Sequence, residues 1–172
     1  MTRPGDHGWY GIGHGAVRPG RPGLDPVLPD LLVGEYPNPR DVAWLRDVHG
    51  VTAVLSLQDD ADLASKRLRL ADLQDACREV DVAFARVPVP DGDPGFLAAW
   101  LPEIVERLHA AIVRGSRVYL HCNAGMNRAP TAAIAYLHVH GGLSLDDAVA
   151  FVKARRLAIP YLQALRACYG VR

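Results

Sequence analysis

Cysteine is scarce in this sequence: Cys77, Cys122 and Cys168 are the only three in 172 residues. An odd count without paired spacing excludes a disulfide scaffold and points to free thiols in a reducing compartment, so a cytoplasmic location is expected. Charge of one sign is also missing, with 19 Lys and Arg against 19 Asp and Glu and a formal net charge of zero. No global field therefore draws the chain to nucleic acid or to an anionic membrane, and neither is expected as a partner. No apolar run is long enough to span a bilayer, and the first residues lack the apolar core of a secretion signal. No His, Cys or carboxylate cluster has ligand spacing, so no metal and no cofactor are expected. His7 and His14 are too loosely placed to form a metal site. Repeats and linkers are lacking as well, and the length suits one domain with a full core, expected as a monomer.

What is present begins with a Gly-, Pro- and Arg-rich stretch, residues 1–29, which has no helical or strand period. It reads as a flexible arm ahead of a domain at 30–172, with Trp9, Tyr10 and Ile12 available to pack on it. Leu31-Leu32-Val33 reads as a short strand. Asn38-Pro39 opens a helix that turns Val42, Leu45 and Val48 inward and stops at Gly50. Val51–Leu57 is β-branched and reads as a buried strand. Asp59–Val80 reads as one amphipathic helix with an acidic start, Leu70, Leu73, Ala76 and the core thiol Cys77 sharing a face. Val82–Val89 is a further strand. It runs into a proline-stiffened loop carrying Asp91, and Asp93 caps a long helix, Pro94–Arg114. After a strand at Arg117–His121 and a central helix ended by Gly141-Gly142, Ser144 and Asp147 cap a helix reaching Arg156. Pro160–Cys168 reads as the last helix. Strands alternating with helices predict an α/β fold, a central mostly parallel sheet of four to five strands flanked by helices.

The chemistry concentrates in HCNAGMNRAP, His121–Pro130, between an apolar strand and a helix of small residues. Ligands of such sheets bind at the carboxyl ends of the strands, where this loop falls. A helix N-terminus offers unpaired N–H groups and partial positive charge, a seat for an oxyanion. The backbone of Asn123, Ala124, Gly125, Met126 and Asn127 can wrap one tetrahedral dianion, with the Arg128 fork gripping its oxygens. The same field favours a thiolate at Cys122. The pattern predicts a phosphate-binding cup with a nucleophile at its base.

With these residues in place, the chain resembles the dual-specificity branch of the protein tyrosine phosphatase superfamily over roughly residues 30–168. The shared signature is His-Cys, two residues, Gly, two residues and Arg, with an acid loop upstream; Asp91 precedes Cys122 by 31 positions. Within the branch the loop looks most like those of the glucan phosphatases, laforin and the plant starch phosphatases. The resemblance implies a protein tyrosine phosphatase-like fold, Cys122 as nucleophile, Arg128 as phosphate clamp, Asp91 as general acid and His121 as support for the thiolate. Asn127 departs from the Gly usual in glucan phosphatases. Ser65, Lys66, Gly92 and Ile159 stand where the plant enzymes carry aromatic residues that hold sugar rings.

The activity implied is metal-independent hydrolysis of phosphomonoesters through a phospho-cysteine, with a phosphorylated protein as the first substrate expected and a phosphorylated glucan as the alternative. A phosphate-reading module without turnover and a sulfur- or arsenate-handling thiol enzyme are rival readings. The latter needs a resolving thiol near Cys122, for which Cys168 is the late candidate. The neutral cup disfavours polyphosphorylated inositides. Lys66, Arg67 and Arg69, or Lys153, Arg155 and Arg156, could form a basic rim, but each run also reads as a solvated helix face. The placement of Arg155 and Arg156 at a helix C-terminus is explanation enough.

Overall fold

The computed structural model describes residues 20–170. The proposed packing of Trp9, Tyr10 and Ile12, and the positions of His7 and His14, lie outside the described residues. Five strands form one sheet: β1 (Leu24–Leu28), β2 (Leu31–Gly34), β3 (Ala53–Ser56), β4 (Ala83–Arg86) and β5 (Val118–His121). Their order is β1-β2-β5-β3-β4, with β1 antiparallel to β2 and the other pairs parallel. The mostly parallel α/β sheet expected from the sequence is therefore present, and its central strand is the one that feeds the His121–Pro130 loop.

β1 corrects the boundary of the arm, since residues 24–28 belong to the sheet. Proline density hid this strand. Pro26 has no N–H to give, but an edge strand tolerates that loss, and the register shifts between Pro26 and Leu28.

The strand side chains alternate between two faces. Leu31, Val33, Leu55, Val118 and Leu120 join one buried cluster, whereas Leu32, Val54 and Tyr119 join the other. The second face is covered by α1 (Val42–His49) and α3 (Leu70–Glu79), through Val42, Leu45 and Cys77. Val48 instead lies 63% exposed, a correction to its inward assignment. Asn38 and Asp41 form a capping box around a 3-10 turn, Pro39–Asp41, so α1 starts later than Asn38. Gly50 closes α1 in the left-handed region, as its position after the last turn predicts.

The other face is covered by α4 (Pro94–Val113), α5 (Arg128–Val139), α6 (Leu145–Arg155) and α7 (Leu162–Tyr169). Asp93 caps α4 by accepting the Phe96 N–H. Pro102 cannot donate within α4, which frees the Ala98 carbonyl four residues earlier. The Cys168 thiol on α7 donates to that carbonyl, so this cysteine has a structural task. Ser144 caps α6 by accepting the Asp147 N–H, while the return contact runs from the Ser144 hydroxyl to the Asp147 carboxylate.

The single helix expected over Asp59–Val80 is two, α2 (Asp60–Ser65) and α3, separated by a break at which Arg67 takes φ +54°. No Gly or Pro marks the break in sequence. Asp59 and Asp62 form a capping box at the start of α2.

Candidate active site

β5 ends at His121, and the loop that follows wraps back toward the first turn of α5. Cys122 is 3% exposed at the base of this loop and Arg128, 1% exposed, opens α5. The carbonyls between them are tied outward, one after another. His121 Nδ1 lies 3.0 Å from the Cys122 oxygen, and Tyr36 N–H donates to the Asn123 oxygen. Arg156 donates from Nη2 to the Ala124 oxygen at 3.1 Å and from Nε to the Gly125 oxygen at 2.6 Å. Ile159 N–H donates to Met126, and the Thr131 hydroxyl and N–H both donate to Asn127. Every peptide here is trans, so an N–H points away from the carbonyl of the preceding residue. With the carbonyls held outside, the N–H groups of Asn123, Ala124, Gly125 and Asn127 face the interior of the loop, and they donate to no acceptor among the described residues. This is the loop at which the sequence reading expects a phosphate-binding cup.

Gly125 is required at the bend. It takes φ +64°, and a Cβ there would lie 2.5 Å from Arg156 Nη2 and from the Gly34 backbone. The sequence reading assigned Arg156 to a solvated helix end; it is instead buried, and its third contact is Asp25 Oδ2 at 2.8 Å. Lys153 and Arg155 are exposed, as that reading expected. His121 is fully buried beneath the loop. The Cys122 carbonyl only accepts, so His121 Nδ1 carries the proton in this contact.

Arg128 is held by a partner that sequence reasoning missed. Asp62, on α2, accepts from Arg128 Nη1 at 2.6 Å and from Nη2 at 3.4 Å. Arg128 Nη1 also donates to the Val89 carbonyl at 2.7 Å. Asp62 is steadied in turn by Asn123 Nδ2 at 2.7 Å, and Asn123 by Gln58 Nε2 at 2.8 Å. Burial is the largest single effect on both partners and opposes their charges, but the Asp62–Arg128 hydrogen bond, their mutual charge attraction and the neighbouring contacts together outweigh it, lowering the Asp62 pKa and raising that of Arg128. One end of the guanidinium fork is thus occupied by Asp62. Arg128 Nε is buried without a hydrogen-bond acceptor among the described residues, so this donor and its neighbouring edge can serve an anion.

Asp91 comes from the loop after β4, and its carboxylate is 56% exposed. Its Oδ1 lies 3.5 Å from Arg128 Nε and 3.4 Å from the Tyr161 hydroxyl. Cys122, Arg128 and Asp91 therefore gather at the carboxyl end of the sheet. A separate apolar cavity of about 380 Å3, lined by Ala53, Ala83, Leu108 and Val118 among others, lies at the opposite end of the strands and holds no thiol. Among the described residues there is no group of His, Cys, Asp and Glu arranged to hold a metal ion.

Fold and loop together define an α/β domain that brings a thiol, a guanidinium and a run of backbone N–H groups to the carboxyl end of one sheet. The profile of the dual specificity phosphatase catalytic domain matches residues 34–164, and the chain belongs to that family, within the protein tyrosine phosphatase superfamily. A phosphoglucan phosphatase, DSP4 (amyloplastic) of Castanea sativa, is 32% identical over 143 residues, covering 81% of this chain and 38% of that protein. Laforin of Mus musculus is 28% identical over 144 residues, covering 77% of this chain and 44% of that protein. The chain thus spans less than half the length of these two curated relatives. The crystal structure of human DUSP28 superposes with a TM-score of 0.63 at 27% identity, covering 89% of this chain and 94% of that one.

Proposed function

We propose that this chain is a cysteine-dependent phosphatase that hydrolyses phosphomonoesters in two steps through a phospho-cysteine. The observation that carries the reading is the ring of outward-tied carbonyls from Cys122 to Asn127, which turns the N–H groups over the thiol and beside Arg128. The Cys122 thiolate attacks phosphorus in line as the bond to the leaving oxygen breaks, and Asp91 gives that oxygen its proton. Water then attacks phosphorus, Asp91 takes up a proton, the S–P bond breaks, and phosphate leaves with the thiolate restored. Arg128 and the loop N–H groups hold the equatorial oxygens through both steps. They supply the positive charge, so no metal has a task in the reaction. His121 fixes the Cys122 carbonyl and hence the base of the loop.

The substrate favoured is a phosphorylated protein, acted on at tyrosine and at serine or threonine. Ser65, Lys66, Gly92 and Ile159 offer no aromatic face to a sugar ring. The 32% identity to a phosphoglucan phosphatase supports a second reading, a phosphorylated glucan. Release of phosphate from phosphopeptides against phosphorylated amylopectin separates the two. All catalytic groups come from one chain, so a monomer suffices, and the free thiols suit a reducing cytoplasm. No described helix is long and apolar enough to cross a membrane.

The test is Cys122→Ser with p-nitrophenyl phosphate in the presence of a chelator. Loss of turnover in the variant, with full activity in the unaltered chain, is expected. Wild-type rates in the variant overturn the mechanism, and absence of turnover in the unaltered chain leaves a phosphate-reading module. Asp91→Ala is expected to retain phosphate binding and to slow turnover by roughly 10²–10⁴.

A further inference from the structure

We propose that Tyr161 is the positioning residue of the general acid, setting which oxygen of Asp91 carries the transferable proton. The inference rests on the phosphatase reading above and adds to it a residue outside the cup and the acid loop.

The Tyr161 hydroxyl sits between two neighbours on the acid loop. It accepts the Gly92 N–H at 3.0 Å and donates toward Asp91 Oδ1 at 3.4 Å. The tyrosine is itself tied down, because its backbone N–H donates to Thr131 Oγ1 at 2.8 Å. Thr131 lies in α5, the helix that begins at Arg128. Tyr161 thus connects the helix that carries the phosphate clamp to the loop that carries the acid. The acid loop follows β4, an edge strand, and Asp91 is mostly exposed, so little else fixes its carboxyl group.

The hydrogen bond and the ion pair at Asp91 involve the same atom. Tyr161 Oη donates toward Oδ1 at 3.4 Å, and Arg128 Nε lies 3.5 Å from that oxygen in an ion pair without a hydrogen bond. The oxygen that accepts from the phenol is the accepting oxygen of a carboxylic acid, so the transferable proton is assigned to Oδ2. Once a phosphate occupies the cup, its oxygens compete for Arg128 Nε, and the phenol becomes the donor that keeps Oδ1 in place. The carboxyl group then cannot rotate, and the protonated Oδ2 faces the leaving oxygen. In the second step the same hydrogen bond steadies the Asp91 carboxylate until it accepts the proton of the attacking water. Burial raises the Tyr161 pKa, the Gly92 N–H opposes this, and the Asp91 charge adds to it, so the phenol keeps its proton and remains a donor throughout the neutral range.

Tyr161→Phe keeps the ring and removes only the hydroxyl. A residue that positions a general acid matters most where the leaving group needs a proton. The measurement is kcat/KM on two aryl phosphates, with Tm and competitive inhibition by inorganic phosphate as controls for fold and cup. Phenyl phosphate has a basic leaving group, whereas difluoromethylumbelliferyl phosphate leaves as a stable anion. The variant is expected to lose about 10-fold or more on phenyl phosphate and less than about 2-fold on the other ester, with phosphate inhibition unchanged. Equal losses on both esters, or no loss on phenyl phosphate, overturn the proposal. Failure of the unaltered chain to hydrolyse either ester overturns the phosphatase reading itself, which separates the two failures.

Discussion

Asp62 Oδ2 lies 2.6 Å from Arg128 Nη1, with only 7% and 1% of the two side chains exposed. Two opposite charges are buried together, and each is further bonded, Asp62 by Asn123 and Arg128 by the Val89 carbonyl. Such a pair contributes little net stability compared with a hydrophobic one, but removing one partner strands the other charge. Its functional consequence is orientation, since the end of the fork held by Asp62 determines where the remaining donors point. Asp62→Asn is expected to destabilise the fold by about 3–5 kcal/mol in urea denaturation and to weaken competitive inhibition by inorganic phosphate. Unchanged stability together with unchanged inhibition would remove Asp62 from the site.

The same pair has a pH signature. The folded-state pKa of Asp62 is lowered by Arg128 against the opposing effect of burial. A carboxyl whose pKa is lower folded than unfolded stabilises the fold above its unfolded value, about 3.9, and loses that contribution as pH falls through the folded value. The stability gap between the unaltered chain and Asp62→Asn is therefore expected to be constant near neutrality and to narrow below about pH 4. Denaturation midpoints measured from pH 3 to 7 check this, and a gap that widens on acidification contradicts it.

Gly125 and Arg156 shape the cup from behind. Gly125→Ala combines a left-handed backbone with a Cβ 2.5 Å from the Gly34 backbone, so the loop must shift. A cost of about 1–3 kcal/mol and loss of most activity are expected. Arg156→Lys replaces a planar fork by a point charge and cannot satisfy the Ala124 and Gly125 carbonyls in the same way. The expected result is a rise in KM of about 10-fold with a smaller change in kcat, read from steady-state kinetics. A wild-type KM would show that the loop holds its shape without the guanidinium.

Four of the five strands and the His121–Arg128 loop were legible because each is written in consecutive residues: short apolar or β-branched runs, then a thiol, small residues and an arginine ahead of a helix. The loop that carries Asp91 was legible from its prolines, whereas the acid role proposed for Asp91 came from the family resemblance. Asp62 was not, because an acid in the first turn of a helix is what any helix start favours, and only the chain's return places it against Arg128. Arg156 was hidden by the same ambiguity at the opposite helix end, where a basic residue is ordinary. Tyr161 follows Pro160 and carries no local sign that its hydroxyl reaches a loop 70 residues earlier in the sequence. The break between α2 and α3 lacked a Gly or Pro, so periodicity ran through it. For Asp62, Arg156 and Tyr161 the missing information was long-range.

The three thiols differ in setting, which yields a chemical test of the site. Cys77 is buried between the sheet and α3, and burial pushes its pKa up to about 11. Cys168 is also raised by burial, and its thiol donates to the Ala98 carbonyl. Neither is therefore a thiolate near neutral pH, and the thiolate is the species that reacts with alkylating agents. Cys122 lies at the base of the loop, close to Arg128, and is the thiol that the proposed mechanism makes the nucleophile. Brief iodoacetamide treatment at pH 7 is expected to add one carbamidomethyl group per chain, at Cys122, and to abolish hydrolysis in parallel. Inorganic phosphate is expected to slow both, because the anion occupies the space above the sulfur. Peptide mapping by mass spectrometry reads the position. Labelling at Cys77 or Cys168 first, or labelling of Cys122 at a rate indifferent to phosphate, would show that the thiol does not lie at the base of an anion site.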